Sequence, residues 1–279
     1  MVARLAGLLA VVVFLLGGCA VTVPPIEGVV WQIDNEHTDP RGRGDWDKLG
    51  ARRLLVQWTV VDNLAFVPGT GLPPGRQMPD WESIGRQPWA QEVIVGLAGR
   101  FDERGARSEL DALVQQSARV ARTLPPVKVA GYYFPIEIDP TWMEAVRLKT
   151  LLGQLPRPLW ISVYDSANVG PEELAQSLTE WLPADVGVFF QDGVGVHARE
   201  PYVARHYANV LVRRLGRERV RLIAEAFRPQ VGGGFRPATL EELRPQLSAY
   251  DGFAIYLFEG PRYVPPATVE GLARHQARR

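Results

Sequence analysis

Eight short apolar runs recur along the chain, and each breaks off into polar residues. They are GVVWQID (residues 28–34), RLLVQWTVVDN (53–63), VIVGLAGRFD (93–102), VAGYYFPIEID (129–139), LWISVYDS (159–166), VGVFFQDGVG (186–195), RLIAEAF (221–227) and GFAIYLFE (252–259). Continuous apolar stretches rich in Val, Ile, Tyr and Phe read as parallel strands buried on both faces. Parallel strands need crossover connections, usually helices.

The intervening segments supply those helices. Residues 108–124 open with Ser108 as a candidate N-cap and carry Leu110, Leu113, Val114 and Val120 near helical spacing. Residues 172–182 follow Pro171, and residues 201–216 run from a proline to a glycine with basic residues in the last turns. The segment from Thr239 starts as a helix that Pro245 is expected to bend or break. Between the second and third strands, GTGLPPGRQMPDW (69–81) predicts a long loop before a short helix.

Eight strands alternating with helices, in a chain of 279 residues, predict a single (β/α)8 TIM barrel over residues 28–279. A doubly wound open sheet is the competing architecture, because periodicity alone does not show closure. No GxGxxG or GxxxxGK[ST] follows any strand, which removes the main reason to choose a nucleotide-binding sheet. VGGGF (231–235) is expected to be a flexible loop at the barrel mouth.

Barrel enzymes carry their chemistry at the C-terminal ends of the strands. Here those ends are rich in carboxylates, amides and aromatic rings. The substrate-binding candidates are Trp31, Gln32, Trp58, Tyr133, Tyr164, Gln191, Asp192 and Tyr256. Aromatic faces stack on sugar rings, and carboxylates and amides bond sugar hydroxyls, so the composition points to a carbohydrate ligand. Two acids stand out: Glu137 ends the fourth strand and Glu225 the seventh, where their tips can face one another. A pair of carboxyl groups is what glycoside hydrolysis requires.

That placement resembles the large retaining-glycosidase clan with (β/α)8 barrels. The resemblance implies Glu137 as acid/base and Glu225 as nucleophile. The clan carries Asn directly before the fourth-strand Glu, whereas Ile136 stands there here. GYYFPIEID and FFQDGVGV (189–196) more closely resemble a bacterial domain-of-unknown-function family, family 4434, with a glycosidase-like barrel. That likeness runs from Gly28 to about Tyr256 and implies a polysaccharide-linked role in the cell envelope.

Other chemistries find less support. Lys+Arg and Asp+Glu both number 31, so the chain lacks the basic footprint of a nucleic-acid binder. None of the four histidines has metal-ligand spacing, and no Ser lies in a GxSxG elbow. Asp34, Asp62, Asp192 and Glu137 are the acids that could converge on a divalent cation, but neither a metal nor a cofactor is expected.

At the N-terminus, Arg4 precedes an apolar run that ends in LGGC at Cys19, the only cysteine. The run is too short to span a bilayer comfortably. It resembles a bacterial lipoprotein signal (residues 1–18), followed by a tether (19–27). The resemblance implies lipidation of Cys19, with Ala20 after it directing the protein to the outer membrane, facing the periplasm. The alternative to an enzyme is a lipid-anchored protein that binds polysaccharide without cleaving it, within an exopolysaccharide synthesis or export system. Ile136 in place of Asn favours that alternative, and the paired glutamates favour hydrolysis.

Overall fold

The computed structural model describes residues 22–36 and 39–276. The eight apolar runs form its central strands: β1 (Gly28–Trp31), β2 (Arg53–Val56), β3 (Glu92–Gly96), β4 (Val129–Ile138), β5 (Leu159–Val163), β6 (Val186–Gln191), β7 (Val220–Glu225) and β8 (Ile255–Phe258). All neighbours are parallel, and the ring closes where β1 pairs with β8, Gly28 opposite Tyr256 and Val29 opposite Leu257. The chain is thus a closed (β/α)8 barrel, not an open doubly wound sheet.

The outer layer contains α1 (Glu103–Ser108), α2 (Leu110–Val120), α3 (Pro171–Trp181), α4 (Pro201–Leu215), α5 (Leu240–Ala249) and α6 (Pro266–Ala273). Two helical expectations need correction. Ser108 is the last residue of α1, not the N-cap of the following helix, because Asp102 starts a turn earlier by accepting from the Gly105 N–H at 2.7 Å. Pro245 lies inside α5 without ending it. A capping box between Thr239 and Glu242, together with buried Leu243 and Leu247, holds the helix despite the missing N–H. The long β2–β3 link contains a short helix at Trp81–Gly85 and two short strand pieces, Val60–Val61 and Leu64–Ala65. VGGGF tips a hairpin between Phe227–Pro229 and Phe235–Pro237, its three glycines all at positive φ. No helix among the described residues is long and apolar enough to cross a membrane.

Two apolar layers result from strand alternation. Outward residues pack under the helices, while Val30, Leu55, Ile94, Tyr133, Phe189, Ile223 and Tyr256 fill the interior with Trp160 against them. Glycines make room for these large rings. A Cβ on Gly187 would lie 2.3 Å from the Trp160 ring, and one on Gly28 2.5 Å from Tyr256. At the N-terminal end, Glu27 pairs with Arg53 at 2.6 Å and Arg221 at 3.1 Å, and Arg53 also reaches Glu92 at 2.8 Å.

Gly187→Ala is expected to lower stability by about 1–3 kcal/mol, the usual cost of overpacking, read as a lower urea midpoint. Gly153→Ala, where a Cβ meets nothing within 4 Å, should stay within about 0.5 kcal/mol of the parent. Equal losses in the two variants would show that the Trp160 contact does not set the cost.

Candidate active site

The alternation that fills the interior also aims polar groups at the mouth. Two residues beyond the interior layer come Gln32 on the exit of β1, Gln57 after β2, Gln191 on β6, Glu225 on β7 and Phe258 on β8. Strand β4 delivers Glu137 differently. Its register against β5 slips between Phe134 and Glu137, across Pro135 and Ile136. Pro135 has no N–H for the ladder, and Gly99 leaves room for its ring, since a Cβ there would lie 2.8 Å from Pro135 Cγ.

Glu137 is mostly buried and held from three sides. Gln191 Nε2 donates to its Oε2 at 2.8 Å. Its backbone N–H donates to Glu103 Oε2 at 3.2 Å, and Arg107 donates to its backbone carbonyl at 2.9 Å. Burial pushes the Glu137 carboxyl up, while Gln191 and the Arg107 charge pull it back toward ionisation. Glu103, half-buried beside Glu137, is pushed up to about 7 by desolvation and by the Glu137 charge.

Glu225 sits at the end of β7 with 5% of its surface exposed. The N–H groups of Gly195 and Val196 donate to its Oε2 at 2.7 and 3.3 Å. Its pKa is pushed up to about 8, by burial first, then by the charge of Asp192, with Glu137 adding to the effect. Asp192 is fully buried, and burial drives its carboxyl up as well. Of this pair, Asp192 is the one that carries the charge. It accepts four hydrogen bonds, from Gln246 Nε2 (2.6 Å), Tyr250 Oη (2.8 Å), Val194 N (3.1 Å) and Glu225 N (3.2 Å). Four donors leave no place for a proton, so the proton falls to Glu225.

Tyr164 is half-buried beside both glutamates, and burial followed by the Glu225 charge pushes its hydroxyl up. Arg199 backs its ring at 5.4 Å and ties the loops after β5 and β6 by donating to Asn168 and to the carbonyls of Asp165 and Asp192. Tyr133 lies below as part of the floor, buried against Phe189. The Gln32 backbone N–H donates to Glu259 Oε1 at 3.1 Å. Glu259 is pushed up to about 7 by burial, against the Arg262 charge. Arg262 in turn pairs with Asp34 at 2.5 Å.

The structure therefore gathers Glu137, Glu225, Gln191, Tyr164 and Gln32 at the mouth, with Tyr133 beneath them. It does not bring the other candidates there. Tyr256 opposes Gly28, the first residue of β1, and its hydroxyl donates to Glu27 at the opposite end of the barrel, 3.3 Å away. Asp192 lies under the site with its acceptors occupied, so it supports Glu225 instead of meeting a ligand. Trp58 faces the outer core, its indole donating to the Ile33 carbonyl. Trp31 also turns outward, 6.1 Å from Trp81, and only borders a depression beside β8. Cys19 lies outside the described residues. Among the described residues no three His, Cys, Asp or Glu side chains group as a metal site.

Two depressions flank the mouth on either side of Arg262. One, of about 340 Å³, is lined by Asp34, Asp62, Phe66, Phe101 and Arg262. The other, of about 380 Å³, is lined by Trp31, Phe235, Glu259, Arg262 and Tyr263. Phe101 and Phe235 are 57% and 45% exposed at their rims. Glu103 and Arg107 escape the sequence reading, which places no helix at 103–108. Asp102 followed by Glu103 and Arg107 four residues apart is the signal that could reveal one.

The closed (β/α)8 architecture is shared with several solved barrels. The solved structures it resembles include an α-L-fucosidase candidate from Bacteroides thetaiotaomicron VPI-5482, with TM-score 0.63, 14% identity, and coverage of 91% of this chain and 95% of that one. A class V chitinase from Pseudomonas fluorescens Pf-5 aligns with TM-score 0.55 and 11% identity over 88% of this chain and 98% of its own. The PgaB (BpsB) glycoside hydrolase domain from Bordetella bronchiseptica gives 0.54 and 13% over 91% and 100%. At such identities the likeness is one of fold. In sequence, the chain is 26% identical over 200 residues to the uncharacterized protein YbcH of Escherichia coli (strain K12), spanning 61% of this chain and 66% of that protein. No family model matches the chain, so the likeness to family 4434 stands on the quoted residues alone.

The raised carboxyls have a consequence for stability. Carboxyls that stay protonated in the folded state up to about 7 or 8 bind protons the unfolded chain releases near 4.5. Their contribution is present in acid and is lost as pH rises through that window. The melting temperature of Glu225→Gln should therefore fall less than that of the parent between about pH 5 and pH 8, as followed by calorimetry. Parallel curves would show that Glu225 is not protonated in the folded state.

Proposed function

We propose that this protein is a glycoside hydrolase acting on an envelope or extracellular polysaccharide, with retention of anomeric configuration. The observation that carries the reading is the pair of buried carboxyls, Glu137 and Glu225, at the C-terminal ends of β4 and β7 in unlike environments. The glycoside-hydrolase barrels among its structural neighbours support it.

The environments support a division of labour opposite to the one the clan resemblance implies. Glu225, beside ionised Asp192, holds a proton at neutral pH and suits the general acid. Glu137, bonded by Gln191 and facing Arg107, suits the carboxylate. In the first step Glu225 gives its proton to the leaving glycosidic oxygen while Glu137 attacks the anomeric carbon, forming a glycosyl ester. In the second, Glu225 takes a proton from water, which attacks the same carbon and releases Glu137. Tyr164 and Gln191 border the reacting centre and would bond sugar hydroxyls.

The second reading, a barrel that binds polysaccharide without cleaving it, rests on Ile136. This residue is fully buried and offers no amide to a sugar hydroxyl. Turnover on a panel of soluble envelope polysaccharides decides between the two. For an enzyme, Glu137→Gln abolishes turnover on every substrate. Glu225→Gln loses about 10²–10⁴-fold on natural linkages but far less on aryl glycosides whose leaving groups need no proton. NMR of the first-formed product should show the substrate's anomer. Binding without turnover in the parent protein would select the second reading, and an inverted product would remove retention.

We also propose that the chain is anchored by a lipid on Cys19 in the outer membrane, facing the periplasm. Labelled palmitate should enter the parent protein in a bacterial host and not Cys19→Ser. Equal labelling of both would end this assignment.

A further inference from the structure

The first helix after β3 grips the backbone of Glu137 from two sides. Glu103 and Arg107 stand four residues apart on α1 and so share one face. Glu103 accepts the Glu137 N–H at 3.2 Å, and Arg107 donates to the Glu137 carbonyl at 2.9 Å. These bonds stand where the sheet has run out. Strand β3 ends at Gly96 opposite Tyr133, so the last residues of β4 have no strand on that side. The register slip across Pro135 and Ile136 loosens the other side. On that edge the ladder resumes with Glu137 opposite Ser162, and the helix takes the place of a strand on the other edge. Arg107 is itself seated against the Trp142 ring at 5.1 Å.

We propose that Glu103 and Arg107 form a clamp of positioning residues that grips the Glu137 main chain and aims its carboxyl into the mouth. The assignment of Glu137 as a reacting group rests on the function proposed above; the clamp itself does not. Five other charged or ionisable groups act around the pair. Asp139 raises the Glu137 carboxyl, Asp102 acts on Glu103, and Tyr133, Tyr164 and Glu225 sense the Glu137 charge. Bonds from Thr141 and Ser166 hold Asp139 ionised in place, away from the Glu137 main chain. That leaves Glu103 and Arg107 as the two groups of opposite sign that touch the Glu137 main chain. The Glu137 charge raises Glu103, so Glu103 still holds its proton while Glu137 titrates, and of the two only Arg107 bears on the Glu137 carboxyl.

The test needs no substrate. The full chain is prepared with 13C at the glutamate carboxyls, the Glu137 signal is assigned by its loss in Glu137→Gln, and its titration midpoint is followed. Glu103→Gln, which keeps the shape and an acceptor oxygen, should leave the midpoint near the parent value. Arg107→Gln should move it to higher pH, and Arg107→Lys should bring it back toward the parent value. In the same samples, amide exchange at Glu137 should quicken in Glu103→Ala and stay slow in Glu103→Gln. An unmoved midpoint in Arg107→Gln, or no return toward the parent value in Arg107→Lys, overturns the clamp. Unchanged amide exchange in Glu103→Ala overturns it too. A chain that shows the Arg107→Gln shift and the quickened exchange in Glu103→Ala but never hydrolyses a glycoside would overturn the function proposed above and leave the clamp standing.

Discussion

Everything at the mouth depends on the pairing of the first strand with the last. Once Gly28 opposes Tyr256, the eight strands close into a ring, and each residue is committed to the inside or the outside by its parity. A slip of one residue would turn an inward carboxyl out under the helices. The large rings of Trp160, Phe189 and Tyr256 fill the interior only because glycines lie beside them. Closure, glycine placement and the direction of Glu225 are thus one constraint expressed at three levels.

Burying so many acids at one end of a barrel is costly, and the structure offsets the cost unevenly. Asp192 is the best compensated: donors from α5, from the β6 exit and from the backbone of β7 converge on it. Its satisfied charge then makes ionisation of Glu225 harder. Glu137 receives a side-chain amide and a nearby guanidinium, and so it is the easier of the two to ionise. Two glutamates on equivalent strand ends acquire different acidities because their second neighbours differ, which is the usual way one site holds both an acid and a base.

The barrel was legible in the sequence because burial on both faces leaves a continuous apolar run, and eight such runs have few ways to pack. Glu137 and Glu225 were legible because an acid at the end of such a run must find solvent or a partner. Which aromatic rings reach the mouth was not legible. Trp58 and Tyr256 look alike in a string of residues, yet one faces the outer core and the other the far end, as parity and register dictate. The helix bearing Glu103 and Arg107 was hidden by its brevity, since six residues carry too little periodicity to stand out. Ser108 shows the same difficulty from the other side: a good capping residue sits at a helix end because Asp102 has already started the turn.

The aromatic plug deep in the barrel has one more effect. Phe189 packs edge-on against both Tyr133 and Tyr256, and the Glu27–Arg53–Arg221 network lies beyond them. That floor stands between the carboxyls and the opposite end of the barrel, so the mouth is their short way to bulk water. A ligand seated across the mouth would lengthen that way and slow any change in their protonation while it stays bound.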